Sequence, residues 1–124
     1  MSGARYTQGW TESAIAAEAL DQNLLVDLDT AGKAKLCAAN MKPIGSIQIS
    51  PFASGANASI VRWLGKHAVK ISAAVAKGDQ VVSTGSGKVG PDGTSGSTVT
   101  TAYTIGVAAT AGSNDGDIID VIAK

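Results

Sequence analysis

His67 is the single histidine of the chain, so a catalytic triad, a histidine-ligated metal or a histidine general base would have to be built on it. Lys66 and Lys70 flank it and would depress its pKa, but no Ser, Asp or Glu stands at a spacing that forms a catalytic motif. The expected place for His67 is a surface or an interface. The acidic run SNDGD, with Asp115, Asp117 and Asp120, offers oxygen ligands to a hard cation. It lacks the alternating acids and closing Glu of an EF-hand loop, whereas Asn114, Asp115 and Gly116 suit a tight turn. GSGKVGPDG, residues 85–93, has the glycines of a phosphate loop without its spacing, and Lys88 is followed by Val89 where Ser or Thr is needed. Cys37 is alone, which excludes an internal disulfide and a four-cysteine metal site and makes it a buried small side chain. No catalytic, cofactor-binding or metal site is expected, and the chain reads as not an enzyme.

The elements that would position any site are strands. Short apolar or alternating runs bounded by Gly, Asn, Asp and Ser recur at Leu24 to Leu28, Ala34 to Cys37, Ile44 to Ser50, Ser59 to Leu64, Ala68 to Ile71, Gln80 to Ser83, Thr104 to Ala109 and Ile118 to Ile122. This spacing predicts an all-β fold, a small barrel or sandwich. In IGSIQIS the alternation places Ile47 and Ile49 on one face, with Ser46, Gln48 and Ser50 on the other. VRWLGKHAVKISAAVAK carries some helical spacing, but Gly65 and the β-branched residues favour a hairpin turning near Gly65, with at most one helical turn at Ser72 to Ala76.

The strands form a module written twice. LLVDLDTAGKAKL, PIGSIQIS and GANASIVRW are echoed by QVVSTGSGKV, TIGVAAT and SNDGDIIDVI, each half giving strand, Gly-Lys turn, strand, an Ile-Gly strand, a polar turn and a last strand. Gly45 then corresponds to Gly106 and Gly32 to Gly87. The division is an arm, residues 1–13, followed by one β domain, residues 14–124, with halves of about 14–65 and 66–124. Gly90 to Thr101 is a polar insertion in the second half, read as a surface loop.

A chain of 124 residues makes one domain and buries about two thirds of its unfolded surface. Val, Ile, Leu and Phe number only 27, so the core is thin and association would add to stability. No apolar run is long enough to span a membrane and no signal-peptide core is present, so a soluble chain made in a cytoplasm is expected. The net charge is zero, but its parts are segregated: five acids from Glu12 to Asp29, eight bases and one acid from Lys33 to Lys88, then four acids from Asp92 to Asp120. Such blocks can face one another across an interface. Only Phe52 and Trp63 lie among the bases, too few stacking platforms for single-stranded nucleic acid. Two of the five aromatics, Tyr6 and Trp10, stand in the first ten residues with Arg5, residue types enriched at binding hot spots.

From Ala14 to Lys124 the ordered motifs AKGDQVV, GSGKV, YTIGVA and GDIIDVIAK, preceded by PIGSIQIS and ANASIVRW, resemble the small capsid decoration, or cement, proteins of tailed bacteriophages. The resemblance implies a compact β-barrel or sandwich with no cofactor and no enzymatic activity. It implies a virion protein on the outer surface of the capsid, made in the host cytoplasm. The implied partners are the major capsid protein and the chain itself, as a homotrimer at three-fold or quasi-three-fold positions, with no nucleic acid and no membrane. Arg5, Tyr6 and Trp10 are the expected capsid-binding arm, acting by strand addition. Arg62, Trp63 and His67 are candidates for a subunit interface, with core burial the competing reading for Trp63. A carbohydrate-binding surface domain and a tail-tube or head-completion component are the alternatives.

Overall fold

In a computed structural model, which describes residues 11–96 and 99–124, the chain forms ten strands and, among those residues, no helix. They are β1 (Thr11–Ile15), β2 (Leu25–Leu28), β3 (Ala34–Leu36), β4 (Gly45–Ser46), β5 (Asn57–Arg62), β6 (Lys66–Lys70), β7 (Gln80–Gly85), β8 (Lys88–Pro91), β9 (Gly106–Ala108) and β10 (Ile118–Ala123). They make two antiparallel five-stranded sheets, ordered β1-β5-β4-β2-β3 and β6-β10-β9-β7-β8. Counted within each half, the two orders are the same. The all-β fold of two related halves is therefore present, although neither sheet closes into a barrel. Each curls until its two edges meet in a single parallel bridge, Ala16 to Ala34 in the first and Ile71 to Val89 in the second.

The duplication extends to individual hydrogen bonds. Ala17 N–H to Ala34 O (2.7 Å) matches Ser72 N–H to Val89 O (2.9 Å), and Ile44 N–H to Val26 O (3.0 Å) matches Ile105 N–H to Val81 O (2.9 Å). Gly45 and Gly106 pair with the last strand of their own sheets at the same point. A Cβ there would lie 2.1 Å from the Val61 carbonyl oxygen or 2.6 Å from that of Ile122, so only glycine lets the strands approach. The polar turns closing each half also correspond, with Gly55 at φ 88° and Gly116 at φ 92°. Asp117 Oδ2 accepts the amides of Ser113 and Asn114 at 3.1 and 3.0 Å, so SNDGD forms a turn.

The core positions correspond pair by pair. Ala16, Leu20, Val26, Ala34, Ile47, Ala58 and Ile60 fill the first half, and their equivalents Ile71, Val75, Val81, Val89, Ala108, Ile119 and Val121 fill the second. Three alanines make the first the leaner core. Leu25, Cys37 and Trp63 come from the first half but pack in the cluster of the second, which joins the sheets into one interior. Burying Leu25 alone is worth about 1.5–3 kcal/mol.

Three sequence expectations are corrected. Thr11, Glu12 and Ser13, grouped with the arm on composition, pair in β1 with Val61, Ile60 and Ser59 of β5. TESAI is a polar edge strand, exposed on most of its length, so it carries no apolar alternation to reveal it. The chain does turn at Gly65, with φ 71°, but β5 and β6 are not a hairpin, because they belong to different sheets. At Ser72 to Ala76, where at most one helical turn is expected, none forms and Val75 bridges to Gly112, in keeping with that limit. Ile47 and Ile49 do not share a face: the strand ends at Ser46, Ile47 is buried, and Ile49 is exposed beyond the sheet.

Candidate functional site

The polar groups with the most developed geometry lie where the two halves meet. Ser46, on the outer face of the first sheet, places its Oγ 2.7 Å from Nδ1 of His67 on β6, and Nε2 of His67 is 3.0 Å from the Leu64 carbonyl. A carbonyl only accepts, so Nε2 carries the proton and Nδ1 accepts from the Ser46 hydroxyl. The Ser46 oxygen in turn accepts from the Gln48 amide at 2.8 Å. Burial lowers the His67 pKa, with the bond to the Leu64 carbonyl opposing it weakly, so the ring is held neutral.

A serine hydroxyl on a histidine nitrogen is the first element of a nucleophilic dyad. Here it is sealed: both side chains are buried, a main-chain carbonyl stands where a carboxylate would orient the ring, and no cleft opens on the Ser46 oxygen. Nothing in the order of residues signals the pair, because Ser46 and His67 meet only when one half packs on the other. Expected at a surface or an interface, His67 is instead buried inside the chain, where the two halves meet.

Trp63 covers this network. Its indole N–H donates to the Ile105 carbonyl across the junction at 2.9 Å, and its ring lies 4.5 Å from that of His67 at 37°. Gln48 closes the other side, receiving the Ala68 amide on Oε1 at 3.3 Å and donating from Nε2 to the Ala68 carbonyl at 2.8 Å. A side-chain amide thus pairs the outward edge of β6 as a neighbouring strand would, and the Lys70 amide of the same edge donates to the Asn23 carbonyl at 2.9 Å. Gln48 and Ser46 were legible only as the polar face of IGSIQIS.

The junction is completed by the β7–β8 turn. Ser86 and Gly87, both at positive φ, make a two-residue turn whose tip enters between β2 and the residue after β3: Leu25 N–H donates to Gly87 O at 2.8 Å, and Gly87 N–H donates to Cys37 O at 3.2 Å. A Cβ on Gly87 would sit 2.9 Å from both Leu24 Cβ and the Leu25 oxygen. Cys37 is buried there, and burial raises its thiol pKa, as expected of a packed and unreactive side chain. Gly32, at the equivalent place in the first half, has φ 79° and open space around it.

Of the sequence-predicted residues, Trp63 and His67 are therefore brought together inside the chain, and only Arg62 keeps an exposed side chain. Arg62 faces Glu12 at 3.4 Å and lines a shallow cleft of about 280 Å³ with Lys42, Pro43, Ile44 and Leu64. Arg5, Tyr6 and Trp10 lie outside the described residues. The charge blocks meet within the chain: Arg62, Lys70 and Lys88 of the basic block pair with Glu12, Asp21 and Asp115 of the acidic ones. Exposed pairs of this kind add little stability, and of the three only Lys70–Asp21 spans the two halves.

The polar insertion folds back on its own half. Asp79 accepts the Gly96 amide at 3.0 Å, and Asp92 accepts the hydroxyl and amide of Thr101 at 2.9 and 3.0 Å, with Thr104 as a further donor. Burial opposes ionisation of Asp92, but the bonds from Thr104 and Thr101 outweigh it and hold the carboxyl below the ordinary range. Among the described residues, no three His, Cys, Asp or Glu side chains come close enough to hold a metal ion.

No protein-family model matches the chain, and no curated protein matches it in sequence. Among solved structures, the N base of the head fiber protein gp8.5 of bacteriophage phi29 is similar over 92% of this chain and 92% of its own, with a TM-score of 0.75 and 14% sequence identity. The shared property is the fold, matched across both halves.

Proposed function

We propose that the chain is a non-enzymatic structural protein of a tailed-phage head, which binds the outer surface of the capsid and bridges neighbouring major capsid subunits as a homotrimer at three-fold or quasi-three-fold positions. The observation that carries this reading is the fold correspondence with a phage head fiber base over nearly the whole of both chains. The interior agrees with it. The chain's one Ser–His pair is locked into structural hydrogen bonds, and no buried side-chain nitrogen or oxygen among the described residues lacks a partner. Such a module resists deformation and presents surfaces. Many copies around a closed lattice then act together through high effective concentration. The carbohydrate-binding alternative loses support, since Trp63 is buried and Phe52 half-buried, leaving Tyr103 as the exposed aromatic among the described residues.

The test is to mix the purified protein with expanded, undecorated capsids and count bound copies by cryo-electron microscopy. Regular density at local three-fold positions is the expected result. A shell surface without it overturns the proposal.

A further inference from the structure

The contact between the two halves is head to tail. The first half contributes the outer face of its sheet, with Leu25, Ser46 and Gln48, and the second contributes the β6 edge and the β7–β8 turn. Because both halves have one topology, each carries both kinds of surface, and the internal contact uses one of each. The other two have no counterpart within the described chain: the edge of β1, equivalent to β6, and the outer face of the second sheet, equivalent to the face that holds Ser46.

The residues on these two surfaces differ from their buried counterparts in a matched way. At the used junction Lys70 pairs with Asp21 at 3.0 Å, while the equivalent positions at the unused surfaces are Ile15, 44% exposed, and Ala76. An ion pair has thus been exchanged for an apolar pair on both sides at once. Leu28, 37% exposed, stands where Ser83 binds the Ala38 carbonyl. On the opposite surface Ile122 is 51% exposed although its counterpart Val61 is 2% exposed, and Val107 replaces Ser46. The edge of β1 also differs from that of β6. Ser13 is equivalent to Ala68, and among the described residues no side chain pairs its outward N–H and C=O as Gln48 pairs those of Ala68. An open edge beside exposed Ile and Leu is a surface that natural sheets cover.

We propose that identical chains associate head to tail by repeating part of the internal contact, with the β1 edge and Ile15 of one copy against Ala76, Gly78, Val107 and Ile122 of the next. The Ile15 amide donates to the Gly78 carbonyl of the neighbouring copy, as Lys70 donates to Asn23 within the chain. The longer loop after β8 lies over Asp79 and Asp92 and limits the contact to the other side of that sheet. A contact between two different surfaces leaves one of each free at the ends of a row, and a ring satisfies them all. This specifies the self-association in the reading above and is independent of shell binding, since its test contains no capsid.

The full chain, I15D and I122D are compared by analytical ultracentrifugation. Wild type is expected to be a closed oligomer and each variant a monomer that still unfolds in one cooperative transition, at a lower midpoint because association no longer favours the folded state. An equimolar mixture of the two variants is expected to form a 1:1 dimer and nothing larger, because each retains the one surface that the other lacks. A monomeric wild type, a variant that keeps the wild-type mass, or a mixture that stays monomeric overturns the proposal. Should either variant unfold, the double variant I15C/A76C decides: oxidation is expected to link chains into a ladder ending at the ring size, and an unlinked product refutes the contact. Success here with bare capsids in the preceding experiment would remove shell binding and leave the ring, and the reverse result would do the opposite.

Discussion

Ser46 Oγ and His67 Nδ1 lie 2.7 Å apart although they stand in different sheets, and this bond fixes the protonation state of the one histidine. With Nε2–H committed to Leu64, a second proton on Nδ1 would turn an accepting nitrogen into a donor facing a hydroxyl that already donates to it. The network tolerates this only by rotating Ser46 and disturbing its bond from Gln48.

Stability should therefore depend on pH through His67. Its folded pKa lies below the ordinary 6.5, so below that value the unfolded chain binds more protons and unfolding is favoured. The contribution is fully present above about pH 6.5 and is lost as pH falls through the folded pKa, at up to about 1.4 kcal/mol per pH unit. Urea melts at pH 7.5 and 5.5 measure it, and His67→Gln should flatten the difference. An equal slope in the variant would assign the effect to other groups.

Gly87 and Gly32 separate a turn's own conformation from its docking. Both have positive φ, so replacement by alanine strains either backbone by about 1–2 kcal/mol. Gly87→Ala adds overlap with Leu24 and Leu25, a further cost of about 1–3 kcal/mol. The denaturation midpoint of Gly87→Ala should lie clearly below that of Gly32→Ala, and equal midpoints would mean that the tip adapts.

Trp63→Phe retains most of the packing and removes one of the two donors to the Ile105 carbonyl, which keeps the Lys124 amide at 2.9 Å. Loss of one net hydrogen bond costs about 0.5–1.5 kcal/mol, so thermal stability should fall by that amount. Trp63→Ala, which also opens a cavity between the halves, should cost about 3–5 kcal/mol. Differential scanning calorimetry checks both, and near-neutral results would show that the junction repacks.

Removal of Met1 to Trp10 takes away the proposed anchors Arg5, Tyr6 and Trp10 and leaves β1 whole. Capsid affinity is expected to fall by at least tenfold, about 1.4 kcal/mol, with the unfolding midpoint unchanged. Co-sedimentation with expanded shells gives the answer, and unaltered binding refutes an anchoring arm.

Alternation and turn residues alone carry the class of fold and its duplication. Strands at Leu24 to Leu28, Ser59 to Leu64 and Ile118 to Ile122 were legible because buried side chains alternate and turns need Gly, Asn or Asp. The pairing of Gly45 with Gly106 was legible because close strand approach excludes every Cβ. The sequence did not reveal β1, since an exposed edge strand is held by main-chain bonds to β5 that leave no apolar pattern. Nor did it show which outer face is covered. Val61 and Ile122 are equivalent by topology and similar in chemistry, yet one is buried and the other exposed. Alternation assigns a residue to a face of its own sheet, whereas burial of that face depends on what packs against it. That was decided when Gly87 entered the open end of β2 and β3, Trp63 reached Ile105, and Ser46 met His67.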